Sequence, residues 1–278
     1  MNGKNNLLSK SKTLNCRGRL VVLDRPLVMG ILNLTPDSFF DGGKFNSVDT
    51  ALKHAEQMLN EGADILDLGA YSSRPGAEDI SEEEELNRMI PSLEAIVTRF
   101  PDALISIDTF RSGVAQKAME VGAHIINDIS GGNLDKELPT VAAKYKAPYI
   151  CMHMKGTPQT MQKNIVETPC MASLLSFFAH RVPELEKQGV NDVIIDPGFG
   201  FGKTLAQNYE MVEHLSDFAI FGKPVLVGIS RKSMIKKKYG ESPEQTLKGT
   251  IEVNRELLQN GADILRVHDV KEAVELVK

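Results

Sequence analysis

EGADILDLGA at 61–70 and NGADILRVHD at 260–269 carry the same pentapeptide nearly two hundred residues apart. A close variant, GAHII, stands at 122–126, and a looser one, VNDVIID, follows Gly189. Each is preceded by an amphipathic segment and leads into an apolar run. The reading is a helix closed by a left-handed glycine and then a turn into a buried strand. Working outward gives eight short apolar runs, at 27–34, 63–70, 103–109, 124–130, 147–154, 192–198, 224–230 and 262–269. They are nearly continuous in Ile, Leu and Val, as parallel strands covered on both faces are. Helical patterns fall at about 48–61, 81–99, 111–121, 135–145, 169–188, 204–219, 244–260 and 269–277, with Ser81 and Glu84 spaced as a capping box. Eight strands alternating with eight helices predict an α/β chain folded as a single (β/α)8 barrel. A doubly wound open sheet is the alternative, but no G-x-G-x-x-G follows the first strand. Residues 14–23 are expected to form a short hairpin closing the barrel bottom. Residues 1–13 are expected to be a flexible tail, with 14–278 as the barrel domain.

The chain has 278 residues, 42 % hydrophobic and 25 % charged, enough to bury a large core. A net charge of −5 disfavours non-specific nucleic-acid binding. The N-terminus has no apolar h-region and no run approaches a membrane span. The three cysteines, Cys16, Cys151 and Cys170, match neither a disulfide framework nor a zinc motif. A reducing compartment, the cytoplasm, is therefore expected, with no membrane partner.

Barrels of this kind place their chemistry at the C-terminal ends of the strands. Those ends are polar throughout: Asn33, Ser73 with Arg74, Asp108, Asn127, His153 with Lys155, Asp196, Ser230 with Arg231 and Lys232, and Arg266 with His268 and Asp269. A scaffold alone has no use for so many, since a buried polar group costs free energy unless paired. Carboxylates, amides and cations converging in one mouth suit a ligand with a hydrogen-bonding heterocycle at one end and phosphates at the other. NLTPDSFFDGG (33–43) is long for a βα loop and reads as a lid or as plain surface. Asp108 is either a ligand group or a helix cap, with Thr109 and Ser112 better placed to cap. Asn127-Asp128 reads as ligand or turn chemistry. DPGFGFGK (196–203) lets backbone approach a ligand, with Phe199 and Phe201 able to cover an aromatic substrate. In RKSMIKKK (231–238), Lys236, Lys237 and Lys238 read as a solvated face, while Arg231 or Lys232 should enter the mouth. Arg266 and His268 share a strand face and form a candidate phosphate clamp.

Taken together, NLTPDSF, SSRPGA, SIDT, INDISGG, MHMKGTPQTMQ, DPGFGFGK, GISRKS and RVHDV run in order from about residue 27 to the end. This ordered set resembles the bacterial dihydropteroate synthase family. The resemblance implies a TIM barrel that condenses 6-hydroxymethyl-7,8-dihydropterin pyrophosphate with p-aminobenzoate in folate synthesis. It also implies a transferase that is a homodimer and a sulfonamide target. It marks Asp108, Lys232 and Arg266 as catalytic, and Asp108, Asn127, Asp196 and Lys232 as the pterin pocket. Asn33, Ser73, Arg74, Arg266 and His268 match pyrophosphate contacts, with Asn33 also matching a Mg²⁺ contact. Pro75, Phe201, Lys232 and Ser233 match the p-aminobenzoate pocket. Asp37 and Asp41 lie on one of two loops, at about 34–46 and 71–79, expected to be mobile and to close over the site. Two departures stand out. Tyr71 replaces an acidic residue, and helix 250–260 carries Glu252, Arg255 and Glu256 where members tend to be apolar, so a dimer contact there would be polar. Two rival readings remain. A methyltransferase using methyltetrahydrofolate would share the pterin carboxylates but have no use for the SRKS and RVHD cations. A barrel binding pterin without turnover would not need the intact Asn33, Asp37, Arg74, Lys232, Arg266 and His268.

Overall fold

In the computed structural model, which describes residues 12–34, 44–72, 79–157, 160–161 and 170–278, the repeat resolves as read. Gly62, Gly122, Gly189 and Gly261 all take positive φ between a helix and the next strand. The elements are β1 (Lys12–Cys16), β2 (Arg19–Leu23), β3 (Leu27–Asn33), α1 (Lys44–Glu61), β4 (Ile65–Gly69), α2 (Glu82–Arg99), β5 (Leu104–Asp108) and α3 (Ser112–Val121). Then follow β6 (Ile125–Asp128), α4 (Leu138–Tyr145), β7 (Tyr149–Met152), α5 (Cys170–Lys187), β8 (Val193–Asp196) and α6 (Leu205–Glu213). A 3-10 turn (Leu215–Phe221), β9 (Leu226–Val227), α7 (Ser233–Tyr239), α8 (Pro243–Gln259), β10 (Ile264–Val267) and α9 (Val270–Val277) complete the chain.

Strands β3 to β10 form one parallel sheet in the order β8-β7-β6-β5-β4-β3-β10-β9. A bridge from Ile195 to Val225, with the Ile195 N–H donating to Pro224 O at 2.9 Å, brings its ends together as a barrel. Helix 204–219 is broken in fact: α6 stops at Glu213 and continues as the 3-10 turn. The seventh barrel strand is only two residues long, and α7 is an additional helix. The capping box at Ser81 is half formed. Its hydroxyl accepts from the Glu84 N–H at 3.1 Å, but the Glu84 carboxylate turns to Arg88 at 2.7 Å.

Strand alternation sorts the core. Val28, Leu66, Ile105, Ile126 and Ile195 face the helices. Met29, Ile65, Leu104, Ile125, Ile150, Ile194, Leu226 and Ile264 face the barrel axis, packed with Leu14 and Cys16 of the hairpin. The hairpin thus plugs the N-terminal end, as expected, with β1 starting at Lys12. No helix among the described residues is long and apolar enough to cross a membrane.

Candidate active site

Two residues beyond five of the apolar axial residues the same strand face turns polar. Ile65 leads to Asp67, Leu104 to Ser106 and Asp108, Ile125 to Asn127, Ile194 to Asp196, and Ile264 to Arg266. The strand that seals the bottom therefore supplies the ligand group at the top. Asp67 is fully buried, and its Oδ2 accepts from Asn127 Nδ2 at 3.0 Å and from Arg266 Nε at 2.6 Å. Arg266 Nη2 donates to Asp108 Oδ2 at 2.7 Å. One guanidinium thus ties β10 to β4 and β5, and Asp67 carries the link on to β6. Asp67 Oδ1 and Ser106 Oγ are buried with no hydrogen-bond partner among the described residues.

These charges feel one another. Burial pushes the Asp108 carboxyl up to about 7, against the pull of Arg266 and with Asp67 adding to the rise. Burial likewise raises Asp196, opposed by Lys232. Burial brings the Lys232 ammonium down to about 8, opposed by Asp196. Arg266 pays the burial penalty too, but Asp67 and Asp108 more than offset it and hold the guanidinium charged.

Arg231 and Lys232 separate as the sequence required, with one entering the mouth. Arg231 takes a left-handed backbone, φ +58°, and its exposed side chain forks onto Asp269 at 2.5 and 3.2 Å. Lys232 turns inward instead. Its Nζ donates to Phe199 O at 2.6 Å and lies 4.6 Å from the Phe201 ring centroid. Of the two phenylalanines expected to cover a substrate, Phe199 is wholly buried in the core and covers nothing in the mouth. Phe201 is half-buried against Ile129, Met152, Met154 and Met161. Lys236, Lys237 and Lys238 are exposed.

Asp108 is no cap. The Thr109 hydroxyl donates to Glu85 at 2.6 Å and accepts from the Arg111 N–H, while the Ser112 N–H donates to Asp135 at 2.7 Å. Neither Thr109 nor Ser112 caps α3 through its side chain, since Arg111 is the N-cap residue and makes no side-chain cap bond. Asp128 does turn chemistry, accepting from the Ser130 and Gly132 N–H groups and from the Tyr149 hydroxyl, which leaves Asn127 to face the mouth. Asn33 ends β3 and Ser233 is exposed at the start of α7. His268 meets Ser230 Oγ through its N–H at 3.3 Å and its Nδ1 at 3.2 Å, so it and Arg266 are each already engaged rather than forming a waiting pair. Tyr71 donates to Asp79 at 3.0 Å and stacks edge-on with Phe110. Ser73, Arg74, Pro75, Asp37 and Asp41 lie outside the described residues, as does most of both loops expected to close over the site.

The sequence reading missed Asp67, although a carboxylate inside the apolar run ADILDLGA is itself the signal. It also left Lys203 and Asn208 without a role.

The family described as "Pterin binding enzyme" matches residues 29–268. Dihydropteroate synthase of Escherichia coli K12 is 44 % identical over 264 residues, 94 % of this chain and 93 % of that protein. A Yersinia pestis dihydropteroate synthase solved as a sulfonamide drug complex superposes with a TM-score of 0.88 at 43 % identity, covering 95 % of this chain and 96 % of that one. The Xanthomonas albilineans enzyme solved with 4-aminobenzoic acid gives 0.88 at 39 %, covering 96 % of each.

Proposed function

Because this chain belongs to the pterin-binding enzyme family, among its dihydropteroate synthases, we propose the following division of labour in its barrel mouth. The reaction breaks the carbon–oxygen bond of 6-hydroxymethyl-7,8-dihydropterin pyrophosphate and joins that carbon to the amine of p-aminobenzoate. Pyrophosphate departs and the amine loses one proton. Asp196 accepts from the paired N–H donors of the pterin edge, and Asp108 and Asn127 hold the rest of the ring. Lys232 donates to the ring carbonyl oxygen and a ring nitrogen. Arg266 and His268 take the pyrophosphate. Arg266 is suited to this because Asp67 anchors its Nε while Nη2, now on Asp108, can turn to a phosphate oxygen. Ser73 and Arg74 complete that end, and Phe201, Lys232, Ser233 and Pro75 hold p-aminobenzoate.

The donor that β3 offers to a metal is the single neutral amide oxygen of Asn33. That suits a Mg²⁺ that takes most of its ligands from phosphate oxygens and water. Such an ion would offset charge on the leaving pyrophosphate. Arg266 adds a fixed positive charge at the same end, and the neutral aromatic amine attacks without a strong base. A homodimer through the exposed Glu252, Arg255 and Glu256 of α8, and a cytoplasmic setting matching three buried free cysteines, complete the reading.

The observation that carries it is the cluster of Asp67, Asp108, Asp196, Lys232 and Arg266 at one barrel end, with the Phe201 ring beside Lys232. The test is pyrophosphate release with both substrates, with and without Mg²⁺. Release that needs both substrates and the ion supports the reading. Pterin binding without release overturns it.

A further inference from the structure

Lys203 closes the segment DPGFGFGK and is buried. Its Nζ lies 2.8 Å from Gly198 O, 3.1 Å from Phe201 O, 3.3 Å from His153 O and 3.3 Å from His153 Nδ1. An ammonium carries three donors and no acceptor, so four converging lone pairs are the environment it needs. Two of the carbonyls belong to the turn after β8, and His153 follows β7. The turn closes on itself through the Phe201 N–H to Gly198 O at 3.1 Å and on β8 through the Gly198 N–H to Asp196 Oδ1 at 2.7 Å, and Lys203 adds a donor to the Gly198 and Phe201 carbonyls. Gly198 has φ +75°, and a Cβ there would stand 2.1 Å from His153 O. Inward carbonyls without donors are costly. A second tie comes from α6, where Asn208 Oδ1 accepts from the Gly200 N–H at 2.7 Å. The turn held this way presents Phe199 O and the Phe201 ring to Lys232.

We infer that Lys203 is the positioning residue for the p-aminobenzoate half of the site: its ammonium fixes the turn from Gly198 to Phe201, and the turn fixes both Phe201 and Lys232 Nζ. This rests on the assignment of Phe201, Lys232 and Ser233 to p-aminobenzoate made above. Asp67, Asp108, Asn127 and Arg266 sit on paired strands and do not lean on the turn; of the pterin residues only Asp196, whose Oδ1 accepts from the Gly198 N–H at 2.7 Å, and Lys232 touch it, so the effect falls mainly on p-aminobenzoate.

The experiment is steady-state kinetics of Lys203→Met, with each substrate varied in turn. The KM for p-aminobenzoate is expected to rise about tenfold or more, with a smaller rise in the KM for the pterin pyrophosphate through Asp196 and Lys232; equal rises in the two overturn the inference. A purely structural lysine would lower stability and the active fraction, leaving both KM values unchanged, and that result overturns the inference. Should Lys203→Met fail to fold, Asn208→Ala loosens the same turn at Gly200. It is expected to raise the p-aminobenzoate KM roughly threefold with a smaller rise in the pterin KM, and no change overturns the inference. Ser233→Ala separates the two levels. If it leaves the p-aminobenzoate KM unchanged, the pocket assignment itself fails. If it raises that KM while Lys203→Met does not, only the positioning role is lost.

Discussion

Asp67→Asn keeps the shape of the residue at the centre of the strand-end network and removes its charge. The amide oxygen can still occupy the Oδ2 position, facing Arg266 Nε and Asn127 Nδ2. The amide nitrogen then takes the place of Oδ1, which has no partner among the described residues, so one unsatisfied atom replaces another. What remains is the loss of the ion pair behind the 2.6 Å bond to Arg266. Removing one partner of a buried pair costs about 3–5 kcal/mol, and Arg266 keeps Asp108 and a bond to the amide oxygen, so a loss of about 2 kcal/mol is expected. For a chain of this size that lowers Tm by roughly 4–8 °C. Function should suffer as well. Arg266 would keep Asp108 as its one carboxylate, the partner it must leave to reach a phosphate, so its orientation is loosened. The KM for the pterin pyrophosphate is expected to rise about tenfold, the equivalent of 1.4 kcal/mol. Urea unfolding and steady-state kinetics on the purified variant measure both effects. Stability within about 0.5 kcal/mol of the parent together with an unchanged KM would refute the reasoning, because a charge this buried cannot be removed silently if it anchors the arginine.

Asp196→Asn places an amide, with a single acceptor oxygen and an NH2 group, against the donors of the pterin edge. Calorimetry should find pterin binding weaker by about 2–5 kcal/mol, and an affinity within threefold of the parent would sink the assignment. Lys232 is charged below about 8 and neutral above it, so kcat/KM should fall as pH rises through that value. Lys232→Arg stays charged and should lose this alkaline fall whatever its overall rate; the same fall in that variant argues against Lys232. Gly198→Ala meets both a left-handed φ of +75° and the His153 carbonyl, and should cost about 3 kcal/mol in chemical denaturation.

The barrel was legible because its signal is coarse. Helix, glycine and apolar strand repeat often enough to count, and the strands are buried on both faces. The lengths were not legible. In 224–230 only Leu226 and Val227 pair as strand, because the following residues turn away to aim Ser230 and Lys232. Asp108, Asn127, Asp196 and Arg266 could be found because each is the last or next-to-last residue of a strand. Asp67 was hidden because it sits in mid-strand, where a sequence pattern shows an interruption but not the arginine, two hundred residues on, that answers it. Phe199 and Phe201 could not be told apart because a glycine-rich turn has no alternation to say which points inward. Lys203 was left without a role because most of its partners are backbone carbonyls, which leave no trace in side-chain patterns.

The hairpin that plugs the barrel bottom also orders events in time. Its residues leave the ribosome long before their partners, for Lys12 pairs with Asp263 and the Asn15 N–H with Asp192. The strand that follows them, β3, has β10 as one of its two neighbours. A nascent chain therefore carries its own stopper and one open seam until β10 has been made, with the apolar faces of Leu14, Cys16 and Met29 unsealed. Contacts between chain ends close slowly and leave partly built sheets prone to association. Chains stopped short of β10 should be the species that chaperones capture during synthesis.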